Sequence, residues 1–334
     1  MASIPKIVST PVKWASKQAI HRTLLRFPGG DSQSPLACVY CPEMCRFACP
    51  SAVASGNDAV TPSNKMSLLQ QEVLWPGRAS QGEELWPIYD CTGCGRCTEY
   101  CVYEIPVAER LFQSRAENSW ERAAEVRDTL TDQTDRWGDL AAELGDETLG
   151  KARAQNWVRS RFGAKKAALE VNEPKGLFYL QSLGISATLS WERVFQESYL
   201  TSAEGKRFVH LLSSLQAELK APLLLSESVW LSRRMKRSSE VLALVERLRE
   251  QGVSLVLPFE HGKDCIDSGG EGAYALLFES AAKQMALDFW ERDRVRCGAV
   301  LALSPRAAEH FRRCGIRAFS WVELLEQAQK QASE

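Results

Sequence analysis

The chain lacks any run of eighteen apolar residues, so no transmembrane helix is expected. It also lacks an excess of charge. Forty-one basic and 42 acidic side chains leave a net charge of −1 over 334 residues, without the field that gathers nucleic acid or an anionic membrane. Nucleic acid is therefore not expected as a partner. Histidine is scarce, and His21, His210, His261 and His310 form no metal-ligand spacing. There is no short-period repeat and no low-complexity tract. Residues 1–30 contain no acid, but carry Lys6, Lys13, Lys17, Arg22 and Arg26 among scattered apolar side chains. Without a continuous apolar core or a small-residue cleavage site, a secretory signal does not fit. This basic extension is read as packing on its own domain or on a partner, ahead of a transit peptide or a membrane-surface helix.

Cysteine is what the chain has in excess, with eleven residues very unevenly placed. Eight stand before residue 105, and only Cys265, Cys297 and Cys314 follow. Thiols two or three residues apart are too close for a disulfide ladder and read as metal ligands in a reducing compartment. The first run is Cys38-Val-Tyr-Cys41-Pro-Glu-Met-Cys45-Arg-Phe-Ala-Cys49-Pro50, and the second is Cys91-Thr-Gly-Cys94-Gly-Arg-Cys97-Thr-Glu-Tyr-Cys101. A cubane cluster needs four thiolates around one small body. A tight loop supplies three, and the fourth cysteine of each run ligates the other cluster in two-cluster ferredoxins. By that rule Cys38, Cys41, Cys45 and Cys101 hold one [4Fe–4S] cluster, and Cys91, Cys94, Cys97 and Cys49 hold a second. The alternative is zinc, but zinc ribbons present two thiolates per turn rather than three and a remote fourth. Two departures stand out: three residues rather than two separate Cys41 from Cys45, and Val102 rather than proline follows Cys101. Neither removes a ligand, though hydrogen bonds to sulfur tune potential, so the two sites need not be equivalent.

Beyond the second run, Val107, Leu111, Trp120, Ala123, Val126 and Leu130 recur at helical spacing. Asp132 to Gly150 reads as a polar helical connector, and Lys165 to Lys175 as a linker. From Gly176 the pattern changes to short apolar runs alternating with amphipathic segments. Leu177 to Leu180, Pro222 to Leu225, Val253 to Leu257 and Ala299 to Leu303 read as buried strands. Trp230 to Gln251, Gly272 to Arg292 and Pro305 to Cys314 read as helices, with Gly252 at a helix end. The expected fold is α+β overall: a two-cluster ferredoxin-like domain, then an α/β domain with a mainly parallel sheet. The expected divisions are a basic extension (1–30), the ferredoxin-like domain (31–115), a helical connector (116–170) and the α/β domain (171–334).

Several weaker signals have plain readings. Gly269-Gly270-Glu271-Gly272 lacks a full dinucleotide fingerprint and reads as a turn before a helix. Cys265, Cys297 and Cys314 read as small buried hydrophobes, although His261 and Asp264 flank Cys265. The basic stretch Arg233 to Arg237 reads as a solvated helix face, with docking of an acidic partner as the minority reading.

The 41 residues between Cys49 and Cys91, with Thr61-Pro62-Ser63-Asn64-Lys65-Met66-Ser67-Leu68-Leu69 inside them, resemble the iron–sulfur subunits of glycolate oxidase and of heterodisulfide reductase. The stretch Ile105 to Arg115 is similar to theirs too. Those families often continue into a cysteine-rich domain built on Cys-Cys-Gly and, about thirty-five residues on, Cys-x-x-Cys. Asp267-Ser268-Gly269 and Ser304-Pro305-Arg306-Ala307 occupy those places here, with every cysteine replaced. The resemblance implies an all-helical two-cluster ferredoxin domain, in an electron-transfer subunit without its own catalytic centre. It would relay single electrons between a flavoprotein dehydrogenase and a quinone-reactive membrane subunit or other acceptor, in the cytoplasm or peripherally at the inner face of the membrane. A self-contained oxidoreductase like heterodisulfide reductase, or an iron–sulfur sensing or assembly module, are the other readings.

Overall fold

A computed structural model describes residues 36–333 apart from 40, 42, 44, 75–81, 102, 118–119, 124, 126–168, 183–185 and 273. The basic extension, Val126, Leu130 and the Asp132–Gly150 connector lie outside the described residues.

The cysteine-rich part is helical among the described residues. Its elements are α1 (Leu36–Val39), α2 (Pro50–Ser55), α3 (Pro62–Leu74), α4 (Trp86–Tyr89), α5 (Arg96–Glu99) and α6 (Val107–Glu117). Proline at the first helical position opens α2 and α3, where a missing N–H costs nothing and φ is already set. A left-handed Gly56 closes α2. One core gathers Met66, Leu69, Leu85, Ile88, Tyr89, Ile105, Val107 and Leu111, with Trp120 behind them.

The second part is an α/β layer structure. A parallel pair joins β1 (Leu169–Val171) to β2 (Ala187–Leu189) across α7 (Pro174–Ser182). The main sheet runs β4-β3-β5-β6, all parallel, from β3 (Leu223–Ser226), β4 (Leu255–Val256), β5 (Ala299–Ala302) and β6 (Ala318–Ser320). Its helices are α8 (Ala203–Leu219), α9 (Ser238–Glu250), α10 (Tyr274–Leu277), α11 (Glu279–Asp293), α12 (Pro305–Arg313) and α13 (Trp321–Ser333). The period-two alternation of a strand divides the burial. Leu223, Leu225 and Leu301 face Phe208, Leu244, Leu248 and Trp321, while Leu224, Val300 and Ala302 face Ala286, Phe289 and Phe311. Both faces of the sheet are covered, which explains why its strands read as unbroken apolar runs.

Three expectations are corrected. Leu177 to Leu180 lies within helix α7, not a strand. Pro174 stands at the first turn of that helix, and the apolar run is continuous because Leu177, Tyr179 and Leu180 are all buried; a short run of this kind carries no periodicity to separate helix from strand. Within the proposed linker, residues 169–171 form β1, and Lys175 is buried in α7. The helix expected from Trp230 to Gln251 divides into a π turn at Trp230–Arg234 and α9.

The two parts pack on each other directly. Phe278 lies 5.6 Å from Trp120, ring stacked on ring, and Tyr274 Oη donates to Asp90 Oδ1 at 2.7 Å. Cys94, Phe112, Phe178, Tyr179, Val229 and Trp230 close the junction. Trp321 is fully buried, edge-on to Phe208 at 4.8 Å. Trp321→Ala is expected to lower unfolding stability by about 3–5 kcal/mol, read as a lower urea midpoint in far-ultraviolet circular dichroism; an unchanged midpoint would show that this core is not cooperative with the sheet.

Candidate metal centre

The eight clustered cysteines sit on short loops and helix starts rather than inside long elements. Cys38 is in α1, Cys49 caps α2, and Cys97 is in α5. Gly93 and Gly95 have φ of +78° and +72°, so the loop carrying Cys94 turns through left-handed conformations that glycine adopts without strain. At Gly93 a side chain would also collide: a Cβ would lie 2.4 Å from Phe112 and 2.9 Å from Trp230. The loop is thus wedged between α6 and the π turn.

Cys49, Cys91, Cys94 and Cys97 line one recess, together with Ser51 and Lys65. Cys97 is pushed well above the usual thiol range, first by burial and then by Cys91, Cys94, Cys49 and Cys45. Cys94 is pushed up to about 11, by burial first, while Arg233 pulls it down. The other group forms around Cys38, which is pushed up to about 12 by burial and then by Cys101, Cys45 and Cys41. Cys45 rises to about 12 for the same reasons, with Cys41 and Cys101 as the strongest neighbours. The fourth cysteine of each run therefore stands with the first three of the other. Cys45 and Cys49 act on each other's groups, so the two groups are neighbours.

Such thiols are protonated unless something positive joins them, because burial and mutual repulsion both oppose four thiolates. A cationic guest with several metal corners suits this donor set. Among the described residues, no group of three His, Cys, Asp or Glu side chains is arranged to hold a single metal ion.

Around the recess lies a cage of cations that the sequence did not announce. Lys65 is 1% exposed. Its Nζ donates to Ser51 Oγ at 3.3 Å and to the Asp90 carbonyl, and Ser51 Oγ lies 3.3 Å from Cys49 Sγ. Burial alone would lower the Lys65 pKa; the cysteines Cys49, Cys91 and Cys97, with Asp90, outweigh it and hold the ammonium charged. Arg115 is equally buried and donates to the carbonyls of Ile88, Tyr89 and Cys91, the last at 2.9 Å. Arg233 donates to the carbonyls of Cys94 at 3.0 Å and Lys263 at 2.7 Å, and to that of Cys265. The expectation of a solvated basic face at 233–237 is therefore corrected: Arg233 is 5% exposed and ties the Cys94 loop to the sheet, Arg234 packs over Phe178 and Trp230, and of the four basic residues Lys236 alone is exposed. One signal was readable in α6, where Val107, Leu111 and Arg115 share a face at intervals of four, placing an arginine on an apolar stripe.

Residues 34–105 match the family described as the 4Fe-4S dicluster domain, a span that takes in both cysteine runs. This is an iron–sulfur protein. It binds clusters of the [4Fe–4S] type, and its chemistry is electron transport. No curated protein and no solved structure matches the chain. Among the described residues no helix is long and apolar enough to cross a membrane.

The positions that would carry Cys-Cys-Gly and Cys-x-x-Cys fall at the carboxyl ends of the strands. The sheet order reverses between β3 and β5, the point where open α/β sheets form their crevice. Here the crevice is filled with paired oxygen groups. Ser304, just past β5, donates to Glu173 at 2.7 Å, and Ser228, just past β3, donates to Glu271 at 2.7 Å. Asp267 accepts from the Gly269 N–H at 2.8 Å. Cys265 is buried beside Trp230, as expected of a small hydrophobe.

Glu271 is driven far above the ordinary carboxylate range, first by burial, then by Asp267 and Glu173, with Ser228 and Lys175 opposing. A carboxyl whose folded pKa is raised binds its proton more tightly when folded, so its contribution to stability is full below the unfolded value and drains away as pH rises toward the folded one. Glu271→Gln keeps an acceptor for Ser228 and removes the titration. Its melting temperature relative to the parent is expected to improve progressively from pH 5.5 to 8.5; a pH-independent difference would place the strain elsewhere.

Proposed function

We propose that the chain carries two [4Fe–4S] clusters in crossed ligand sets and conducts single electrons between partner proteins. The sets are Cys38, Cys41, Cys45 with Cys101, and Cys91, Cys94, Cys97 with Cys49. The observation that carries the reading is the grouping of thiols: Cys101 is the strongest neighbour of Cys38, and Cys49 lines one recess with Cys91, Cys94 and Cys97. Bound in each set, a cubane supplies a one-electron acceptor and donor. The protein's own contribution is placement. The Gly93–Gly95 loop brings backbone close to the site, Arg115 and Arg233 fix the carbonyls of Cys91 and Cys94, and the carboxyl end of the sheet keeps water from one side of the recess.

The electron-carrying unit is assigned to residues 31–115 and a docking and shielding unit to 171–334. The donor is a flavoprotein dehydrogenase; the acceptor is a quinone-reactive membrane subunit or another redox partner, reached from the cytoplasm or the inner membrane face. Oxygen groups at Asp267, Ser268 and Ser304, with Ala307, argue against a second, substrate-reducing thiolate centre, because they cannot replace soft sulfur ligands.

Anaerobic purification with iron and sulfide counting tests the reading. About eight irons per chain and two EPR-detectable clusters are expected, with a flavoprotein recovered alongside. Bound zinc and no visible absorbance would sink it; clusters that respond to a signal but accept no electrons from a flavoprotein would favour sensing. In the crossed arrangement Cys101→Ser alters the same cluster as Cys38→Ser, and Cys49→Ser alters the other.

A further inference from the structure

We infer that the buried acid layer at the carboxyl end of the sheet is a proton site coupled to the Cys49, Cys91, Cys94 and Cys97 centre, with Glu271 taking up a proton from solvent when that centre is reduced. This rests on the two-cluster reading and adds proton uptake to it. Three carboxyls, Glu173, Asp267 and Glu271, gather around one ammonium, Lys175, each at 2–3% exposure. A side chain at Gly272 would collide with that ammonium, which also stands 5.2 Å from the Trp230 ring centre. One ammonium does not balance three buried carboxylates, so the layer favours taking up a proton. The hydrogen bonds say which carboxyl holds it. Glu173 accepts from the Ser304 hydroxyl at 2.7 Å and the Arg306 N–H at 2.8 Å, and Asp267 from the Gly269 N–H at 2.8 Å. Backbone N–H donors favour the charged form. Among the described residues, Glu271 accepts from the Ser228 hydroxyl at 2.7 Å and from no backbone N–H. A hydroxyl can turn from donor to acceptor, so Ser228 serves Glu271 in both protonation states.

The layer abuts the cysteine loop. Arg233 donates to the carbonyls of Cys94 and of Cys265, two residues before Asp267, and Tyr274, three residues past Glu271, donates to Asp90 beside Cys91. A cleft between α2 and α11, lined by Phe47, Pro50, Val53, Asp267, Asp288 and Arg292, meets solvent at the exposed Phe47 and Val53. Asp267 is its buried end, and Asp267 Oδ2 has no hydrogen-bond partner among the described residues. That oxygen is placed to accept from water in the cleft and to hand a proton on to Glu271. The other titratable and charged groups around the layer are Arg233 beside Asp267, Cys265, and His310 of α12. His310 packs on Gly270, with its Nε2 3.0 Å from the Ala282 carbonyl.

The step balances: the centre gains one electron from the partner protein, the Glu271 carboxylate gains one proton from water, and no other bond changes. Reduction adds a negative charge, which tightens the hold of a nearby carboxyl on its proton; by linkage the proton tightens the hold of the centre on its electron. The potential therefore falls as pH rises, between the pKa of Glu271 beside the oxidised centre and the higher one beside the reduced centre. Below both it is level, because the carboxyl is protonated in either state. Burial, then Asp267 and Glu173, put this window above the ordinary carboxylate range.

The experiment is a potentiometric titration of the full-length, cluster-loaded protein, followed by EPR and repeated from about pH 5.5 to 10. One of the two potentials is expected to fall across the window, by up to about tenfold in the electron's partition per pH unit, or about 59 mV, and the other to fall less. Glu271→Gln keeps an acceptor for Ser228 and cannot titrate, so it is expected to abolish that fall. A parent potential that is level over the whole range, or a fall unchanged in Glu271→Gln, would overturn the inference. If Glu271→Gln loses iron, Ser228→Ala takes its place: without the donor the window moves to higher pH, and an unmoved window overturns the inference too. Failure of the underlying reading is distinct, because the parent protein would then hold about four irons or fewer.

Discussion

Four thiols brought together away from water repel one another as thiolates, and burial alone keeps them protonated. The cysteine-rich part of this chain is organised around that opposition. Its helices are short, its loops turn on glycine, and its sulfur groups gather in two neighbouring sets that depend on a positive guest and on fixed positive side chains. Lys65 shows how strictly the arrangement is built. An ammonium at 1% exposure survives only because sulfur and carbonyl groups surround it. The helix α3 that carries it is placed by Pro62 and by Thr61, whose hydroxyl accepts from the Asn64 N–H. Thus the charge that steadies one end of the site is set by a turn that lies twelve residues from Cys49 and thirty from Cys91.

Much of this was legible in the sequence because cluster chemistry leaves a local record. Ligand spacing within a run is a short-range property, so the eight cysteines stand out before any fold is known. The parallel sheet was legible for a similar reason: strands buried on both faces, such as Leu223–Ser226 and Ala299–Ala302, are written as unbroken apolar runs. That same feature misled at Leu177–Leu180. A helix covered on all sides has no polar face to mark its period, and the only punctuation, Pro174, is also compatible with a strand boundary. The cation cage was not legible because its members come from three separate elements: Lys65 on α3, Arg115 on α6 and Arg233 on the π turn. A basic side chain in sequence reads as solvated, and only packing tells when its partners are backbone carbonyls.

The second part of the chain makes best sense as a lid on the first. Its strands end toward the cysteine loop, and the segments that follow β3 and β4 touch that region: the π turn through Arg233 and Trp230, the loop after β4 through Cys265, and α10 beyond that loop through Tyr274, which donates to Asp90. In a sheet of this kind the carboxyl-end crevice is where a ligand would bind. Here it is occupied by the protein's own Ser228–Glu271 and Ser304–Glu173 pairs.

Filling a crevice with buried carboxyls destabilises the fold at neutral pH, since each must hold a proton or find a cation. A sheet serving only as a scaffold would be more stable with apolar side chains there. Retaining oxygen groups at these positions, beside Lys175 and within reach of Asp267, keeps a polar, proton-holding layer next to the set that gathers positive charge. The electrostatics of the two parts are therefore matched: cations close to the sulfur, and one layer behind them acids whose ionisation burial opposes. Ionised, those acids would oppose the field of Lys65 and Arg233 at the Cys49, Cys91 and Cys94 recess. Burial, by disfavouring that ionisation, is what lets the cations act.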